Sequence, residues 1–137
     1  MRTIWLVLLS LSFFPLTSLY PIEKGKASYY HKKFIGKRTA SGLRYGIDDY
    51  ICAHRKYPFG TELYVVNSQT RKRVKVKVAD RGPYVRGRIV DLSYAAAERI
   101  GLIGKGVIEV EVHPIIDSLE YLPLSTLIKI KPLEIKK

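Results

Sequence analysis

Alternating hydrophobic and polar residues predict most of the regular structure in this 137-residue chain. The clearest case is Arg73–Val78, where valines alternate with cationic side chains, as is typical of a strand with one buried face. Glu62–Asn67 has strong β propensity, and the short gap between it and Arg73–Val78 predicts a hairpin. Ile108–Val112 repeats the alternation with acidic residues on its outer face. We expect it to pair beside the lysine-bearing strand and exchange charge with it.

Shorter patterns complete a mainly β architecture. Lys26–Tyr30 and Tyr50–His54 are predicted to be short strands. Ser93 is a plausible N-cap for a helix over Tyr94–Ile100, where three alanines favour helix before Gly101 ends it. Many short strands with one or two brief helices predict a small barrel rather than an α/β layered fold.

The N-terminal residues predict an export signal. A cationic start is followed by an apolar run over 4–16, broken only by two serines and a proline. Its length fits the ~7–15 residue apolar region of a secretory signal better than the ~20 residues of a bilayer span. We therefore expect a signal peptide over 1–19, one compact domain over 24–113 and an unassigned tail over 114–137. An uncleaved N-terminal anchor is the alternative; no cysteine stands where a lipoprotein would need one.

The charge balance points to a polyanionic partner. Lys plus Arg number 24 against 12 Asp plus Glu, a formal net charge of +12. We expect an exported protein of the periplasm or cell envelope, for which the expected polyanion is cell-envelope material rather than nucleic acid. An exported nucleic-acid binder rests on charge alone, because no recognition helix or aromatic-basic motif accompanies it. Lys32–Gly46 is rich in Lys, Arg, Gly, Ser and Thr, which predicts an exposed loop of the kind that carries binding groups.

The single cysteine, Cys52, excludes an internal disulfide. Its closeness to His54 suggests a metal pair, but three histidines and one cysteine without a second close-spaced pair do not make a tetrahedral zinc site. A buried thiol is the better interpretation, and we expect no metal or organic cofactor.

One turn presents a candidate catalytic group. Val78-Ala79-Asp80-Arg81-Gly82-Pro83-Tyr84 places an acid, a base, a glycine and a proline at the end of the valine strand. Such a turn lifts one carboxylate, that of Asp80, clear of the core.

An ordered series of short motifs over about Lys24–Val112 resembles the rare lipoprotein A family. The motifs are Gly25-Lys26-Ala27-Ser28-Tyr29-Tyr30, Arg38-Thr39-Ala40-Ser41-Gly42, Ala53-His54, Pro58-Phe59-Gly60-Thr61, Val65-Val66-Asn67, Asp80-Arg81-Gly82-Pro83-Tyr84, Arg88-Ile89-Val90-Asp91-Leu92-Ser93 and Ala95-Ala96-Ala97. The resemblance implies a six-stranded double-psi β-barrel, the fold of barwin-like proteins and expansins. It also implies an exported, probable lytic transglycosylase that cuts peptidoglycan glycan strands between MurNAc and GlcNAc and leaves 1,6-anhydro ends.

This chemistry needs one carboxyl group that acts first as acid and then as base, with a pKa near neutrality. The resemblance assigns that role to Asp80, with His54 holding a sugar hydroxyl or hydrogen-bonding Asp80; a structural histidine at a strand end is the alternative. An Arg81 guanidinium turned toward the carboxylate would instead favour its charged form. The predicted substrate-binding residues are Tyr29, Tyr30, Thr39, Ser41, Arg81, Tyr84 and Arg88, although one of the two tyrosines should face the core and Arg88 could serve solubility alone.

One position departs from the family pattern. Leu43 stands where the family usually has a glutamate, eleven positions before His54. Asp48, Asp49 and Glu62 are the candidates to replace that carboxylate. If none does, the alternative is a non-catalytic peptidoglycan-binding or expansin-like wall-loosening module. In either case we expect a monomer that binds glycan strands and meets the membrane only through an uncleaved signal. Asp91 is predicted to be structural, bonding backbone amides near the helix start.

Overall fold

The computed structural model describes residues 21–115, which form a closed barrel of six strands. The elements are β1 (Glu23–Tyr29), β2 (Ile51–His54), β3 (Glu62–Asn67), β4 (Arg73–Asp80), β5 (Arg88–Leu92), α1 (Tyr94–Arg99) and β6 (Ile108–Pro114). A single 3₁₀ turn, Lys32–Phe34, lies between β1 and β2. The predicted signal peptide and the tail beyond residue 115 lie outside the described residues, so these two assignments remain predictions.

The strands are ordered β1, β5, β2, β4, β3 and β6, and β6 closes the barrel against β1. Two neighbouring pairs, β1 with β5 and β2 with β4, are parallel, whereas the other four pairs are antiparallel. This arrangement confirms the predicted mainly β class and the six-stranded double-psi barrel. It also places the carboxyl ends of β2 and β4 side by side, because Ala53 pairs with Asp80.

The valine alternation in β4 builds the barrel interior. Val74, Val76 and Val78 are buried while the cations between them are exposed, and the antiparallel partner β3 contributes Leu63 and Val65. The predicted hairpin is therefore confirmed. Equivalent inward side chains of the other strands complete one core, among them Ala27, Cys52, Val90, Leu92, Val110 and Val112.

The predicted neighbour of Ile108–Val112 was wrong. This strand, β6, pairs with β3 and β1 rather than with β4. Its Glu111 carboxylate lies 3.5 Å from Lys24 Nζ and 3.3 Å from Arg71 Nη1, whereas Lys75 on β4 meets Glu62 across the hairpin at 3.3 Å. Alternation shows which face of a strand is buried, but many pairings satisfy the same alternation.

Helix α1 contacts β4 and β1, and its buried residues belong to the same core as the inward-facing side chains of the strands. The Ser93 side chain accepts a hydrogen bond from Ala96 N–H, as an N-cap does, and Ala96 and Ala97 are fully buried. Gly101 follows the helix with a φ of 73°, a conformation that suits glycine at a helix end. No helix among residues 21–115 has the length and apolar character needed to cross a bilayer.

Two positions in the barrel require glycine, one on β1 and one after β4. A Cβ on Gly25 would lie 2.7 Å from the Ile89 side chain, so the close approach of β1 to β5 requires glycine there. After β4, Gly82 has a φ of 114° and the Gly82–Pro83 peptide bond is cis. The positive φ of Gly82 turns the chain away from the barrel directly after Asp80 and Arg81.

The buried side chain of Asn67 connects the turn between β3 and β4 to the residue that follows α1. It is 2% exposed, its Nδ2 donates to Ile100 O at 3.0 Å, and its Oδ1 accepts from the N–H groups of Gln69 and Thr70 at 3.0 and 3.2 Å. We expect Asn67→Ala to lower the free energy of unfolding by about 2–3 kcal/mol, because it strands a buried carbonyl. Urea unfolding measures this loss. Gln69→Ala, in the same turn, should change it by less than about 0.5 kcal/mol, and an equal loss in both variants would contradict the assignment.

Candidate active site

Asp80 is held at the end of β4 by hydrogen bonds from three separate segments. Its Oδ1 accepts from Ala40 N–H at 2.8 Å and from Arg81 N–H at 2.9 Å. Its Oδ2 accepts from the Tyr30 hydroxyl at 2.7 Å. The side chain is half-buried, so the carboxylate is fixed in orientation while one side of it faces the surface.

The pocket beside this carboxylate is shallow and mostly aromatic and cationic. It is lined by Tyr30, Phe34, Lys37, Arg38, Thr39, Tyr45 and Asp80. Burial, and then the hydrogen bond to Asp80, raises the pKa of the Tyr30 phenol far above its ordinary value. Tyr30 is therefore a permanent donor to Asp80 at any pH where the protein works.

The loop carrying the Arg38-Thr39-Ala40-Ser41-Gly42 motif is folded back on itself over the end of β4. Thr39 N–H donates to Leu43 O at 2.8 Å, and the hydroxyls of Thr39 and Ser41 lie 3.0 Å apart. Ser41 N–H donates to Ala79 O at 3.1 Å, which ties the loop to the strand. This connection brings the Ala40 N–H group to Asp80, so the motif supplies a backbone donor as well as the predicted side chains.

The guanidinium of Arg81 turns away from Asp80. Its Nη1 donates to His54 O at 3.0 Å and Tyr57 O at 2.9 Å, and its Cζ lies 4.0 Å from the centre of the Phe59 ring. No ion pair joins Arg81 to Asp80 in the described part of the chain. Arg81 therefore anchors the end of β4 to the 54–57 turn, and only its backbone N–H contacts the carboxylate.

His54 is buried rather than open to the pocket. The residue is 1% exposed, its ring lies 4.5 Å from that of Tyr57, and its Nδ1 accepts from the N–H groups of Lys56 and Tyr57 at 3.2 Å each. Its Nε2 lies 3.6 Å from Glu23 Oε2 and has no hydrogen-bond partner among residues 21–115. The His54 ring is almost fully buried and makes no hydrogen bond with Asp80 among the described residues, so its role in the site stays a prediction.

The remaining predicted binding residues differ in how close they lie to the pocket. Thr39 and Tyr30 line the pocket, and Ser41 contacts Thr39. Tyr29 packs against the core, with its ring centre 6.1 Å from that of Tyr94. Of the two adjacent tyrosines, Tyr30 is the one that lines the pocket. Tyr84 is 79% exposed.

Arg88 is occupied by Asp91, an interaction that the sequence did not indicate. Its Nε and Nη2 donate to the two carboxylate oxygens of Asp91 at 3.1 and 2.6 Å. The expectation that Asp91 bonds backbone amides near the helix was therefore wrong. Burial raises the pKa of Asp91, Arg88 opposes that rise, and the charge of Asp80 adds to it, so the two carboxylates lie within electrostatic reach of each other.

No acidic side chain named as a replacement for the family glutamate contacts Asp80. Leu43 itself is 46% exposed on the folded loop. Asp49 accepts from Gly46 N–H at 2.6 Å, and Glu62 pairs with Lys75 on the hairpin. Within 21–115, no group of three or more His, Cys, Asp or Glu side chains is placed to hold a metal ion. Cys52 is a buried free thiol whose pKa burial raises.

Comparison with known proteins decides the family. Residues 22–112 match the family model described as lytic transglycolase, which is most of the chain. The chain belongs to the lytic transglycolase family. This membership confirms the resemblance to the rare lipoprotein A proteins.

Curated relatives within the family carry the same domain in longer chains. The probable endolytic peptidoglycan transglycosylase RlpA of Aquifex aeolicus is 56% identical over 88 residues, covering 64% of this chain and 39% of that one. The endolytic peptidoglycan transglycosylase RlpA of Pasteurella multocida is 51% identical over 89 residues, covering 65% and 30%. This chain therefore matches well under half the length of these relatives.

Solved structures share the fold at low sequence identity. A Clavibacter michiganensis expansin mutant in complex with cellohexaose superposes with a TM-score of 0.58 at 20% identity, covering 71% of this chain and 52% of that one. Streptomyces papain inhibitor gives a TM-score of 0.56 at 22% identity, covering 70% and 96%. At this identity the likeness supports the barrel and nothing finer.

The buried His54 predicts a pH dependence of stability. Burial lowers its pKa below 6.5, with Lys56 and Arg55 adding to the effect and Glu23 opposing it. The unfolded chain therefore binds a proton near pH 6.5 that the folded protein does not, and stability falls as the pH drops below that value. In urea unfolding from about pH 7.5 to 5, we expect His54→Asn to show a shallower fall than the unchanged protein, because Asn keeps an acceptor without titrating. His31→Asn, at an exposed histidine, is the control; if it flattens the profile equally, His54 is not the source.

Proposed function

We propose that this protein is an exported endolytic lytic transglycosylase of the cell envelope that cleaves MurNAc–GlcNAc bonds in peptidoglycan with Asp80 as the acid and base. The observation that carries the proposal is the Asp80 carboxylate, fixed by three donors beside a surface pocket in a member of the lytic transglycolase family. The printed names of the relatives supply the substrate class.

The reaction needs one carboxyl group and no water. The Asp80 carboxylic acid protonates the glycosidic oxygen, and the bond from C1 of MurNAc to that oxygen breaks through an oxocarbenium-like state. The C6 hydroxyl of the same sugar then attacks C1, and its proton passes to the Asp80 carboxylate. The glycan ends in a 1,6-anhydro ring, the leaving GlcNAc keeps the first proton, and Asp80 is again protonated.

The hydrogen bonds favour Oδ2 as the oxygen that carries the proton. Oδ1 already accepts two backbone N–H groups, which cannot rotate away, whereas Oδ2 accepts one rotatable phenol O–H from Tyr30. Tyr30 then keeps the carboxyl group pointed at the pocket in both protonation states. No metal or organic cofactor has a part in this route, and one copy of the chain supplies all the groups.

A second candidate function is a non-catalytic module that binds or loosens wall glycan. Leu43, exposed at the position of the family glutamate, is the observation that favours it. An expansin with the same barrel fold has been solved in complex with cellohexaose, so this scaffold is compatible with a polysaccharide-binding surface.

Asp80→Asn is the direct test. It keeps the shape of the side chain but cannot donate and regain the proton. We expect the purified protein to release 1,6-anhydro muropeptides from sacculi, detected by mass spectrometry, and Asp80→Asn to lower their yield at least ~100-fold. The exposed Glu109→Gln variant, which removes the same charge outside the pocket, should retain full yield. Binding to sacculi without anhydro products from the unchanged protein would instead support the binding module.

Leu43→Glu tests whether the departure from the family pattern limits the rate. If a second carboxylate assists proton transfer, Leu43→Glu should raise the yield of anhydro products by about 10-fold or more, and Leu43→Gln, of similar size but uncharged, should not. Equal yields from both variants and the unchanged protein would show that Asp80 works without a second acidic side chain at this position. Product formation is followed over time by the same mass spectrometry.

A further inference from the structure

The turn before β3 presents an aromatic ring at the surface. Thr61 N–H donates to Pro58 O at 3.2 Å and Gly60 has a φ of 89°, so these residues form a β-turn with Phe59 at its second position. Phe59 is 42% exposed. A β-turn does not require an aromatic residue there, since Gly, Pro, Asn, Asp and Ser are the usual turn residues. The turn alone therefore does not account for the ring.

Two backbone hydrogen bonds hold this turn against β4. Gly60 N–H donates to Val78 O at 2.8 Å, and Val78 N–H donates to Thr61 O at 2.9 Å. Val78 lies two residues before Asp80 on the same strand. Because the turn and the carboxylate are attached to one end of one strand, the position of the turn relative to Asp80 is fixed.

The guanidinium of Arg81 supports the ring. Its Cζ lies 4.0 Å from the centre of the Phe59 ring, and its Nη1 donates to His54 O and Tyr57 O. Arg81 is therefore held in place and covers one face of the ring. The partly exposed ring presents the rest of its surface to solvent. A fixed aromatic ring with an open surface is suited to bind the apolar C–H face of a sugar.

The pocket and the Phe59 ring approach Asp80 from opposite sides. Ser41 N–H, in the loop that reaches the pocket, donates to Ala79 O, whereas the turn that carries Phe59 bonds to Val78. Neighbouring residues of a strand direct their backbone N–H and C=O groups to opposite edges. The loop therefore meets β4 on its β2 side and the turn meets it on its β3 side, with Asp80 at the strand end between them.

The proposed reaction needs a sugar on each side of the acid. Asp80 protonates the oxygen that joins two sugars, so a bound strand has one ring on either side of the carboxylate. The pocket, which Tyr30 and Thr39 line, offers a place for one of them. Phe59 is an exposed aromatic residue on the other side. The second sugar is therefore the ligand that fits the position of this ring.

We propose that the open surface of Phe59 is a sugar-binding subsite, on which the glycan ring across the cleaved bond from the pocket stacks through its C–H groups. The inference rests on the proposed function for the position of the cleaved bond at Asp80. It assigns this contact to the uncharged face of a sugar in the glycan backbone, so binding depends on the aromatic ring rather than on charge.

The test measures binding in an Asp80→Asn background, so that cleavage does not enter. The probe is sacculi stripped of stem peptides by an amidase, and cosedimentation gives the affinity. We expect Phe59→Leu to weaken binding about three- to tenfold, the range expected for one aromatic stacking contact, because leucine is apolar but has no flat ring. Phe59→Tyr keeps the ring and should retain the affinity of the Asp80→Asn protein.

The matched control is Tyr64→Leu. The Tyr64 ring centre also lies near a guanidinium, 5.0 Å from Arg73 Cζ, but Arg73 begins β4 at the end opposite Asp80. Tyr64→Leu should retain binding, and an equal loss in Tyr64→Leu and Phe59→Leu would overturn the proposal. Unchanged binding by Phe59→Leu, or an equal loss in Phe59→Tyr, would also overturn it. Thermal unfolding checks that each variant is folded.

A second measurement needs no variant at Phe59. In the Asp80→Asn protein with isotope-labelled phenylalanine, the Phe59 ring resonances should shift as soluble glycan from stripped sacculi is added. Glycan-induced shifts elsewhere without one at Phe59, or no binding at all, would overturn the proposal.

Release of anhydro products by the unchanged protein is measured separately, so the two proposals can fail independently. If products are absent while Phe59→Leu still weakens binding, the proposed reaction fails and the subsite stands. If products form and Phe59→Leu binds normally, the subsite alone fails.

Discussion

Three hydrogen bonds to Asp80 connect the barrel to its candidate chemistry. The donors are the Tyr30 hydroxyl after β1, Ala40 N–H in the loop over residues 38–42 and Arg81 N–H after β4. They come from positions fifty, forty and one residue away, so the carboxylate is oriented only when the barrel has closed. Because a mispositioned acid loses most of its catalytic value, the closed fold is itself a condition for the reaction.

The side chain of Arg81 follows Asp80 directly in the chain but does not form an ion pair with this candidate catalytic carboxylate. The guanidinium is occupied by the carbonyls of His54 and Tyr57 and stacks on Phe59. His54 fixes that turn from the other side, because its Nδ1 accepts the amides of Lys56 and Tyr57. The histidine thus supports Asp80 through the turn and Arg81, at a distance from the pocket. The histidine of the Ala53-His54 motif thus holds the turn that follows β2.

The sequence predicted local structure well and long-range contacts poorly. β3 and the start of β4 follow directly from side-chain alternation, and Ser93 with its alanines marks the helix. The partners of β6 did not follow, since its Ile-Glu-Val-Glu-Val pattern fits any neighbour with a buried face. β5 has only Ile89 and Val90 as a β-branched pair, and it is a strand paired with β1 on one side and β2 on the other. The resemblance to a family led to the prediction for Asp80, but the burial of His54 and the pairing of Arg88 with Asp91 depend on tertiary packing that no local pattern encodes.

The pairing of Asp91 also bears on whether one carboxylate suffices. Two unpaired carboxylates within electrostatic reach of each other would repel. The bidentate contact with Arg88 offsets part of this repulsion at Asp91. Asp91 is therefore committed to Arg88, and Asp80 is the one acidic side chain that lines the pocket. A route in which the sugar's own C6 hydroxyl replaces water has no need for a second acid to activate a nucleophile. A single acidic side chain lining the pocket is therefore compatible with the proposed ring closure by one carboxyl group.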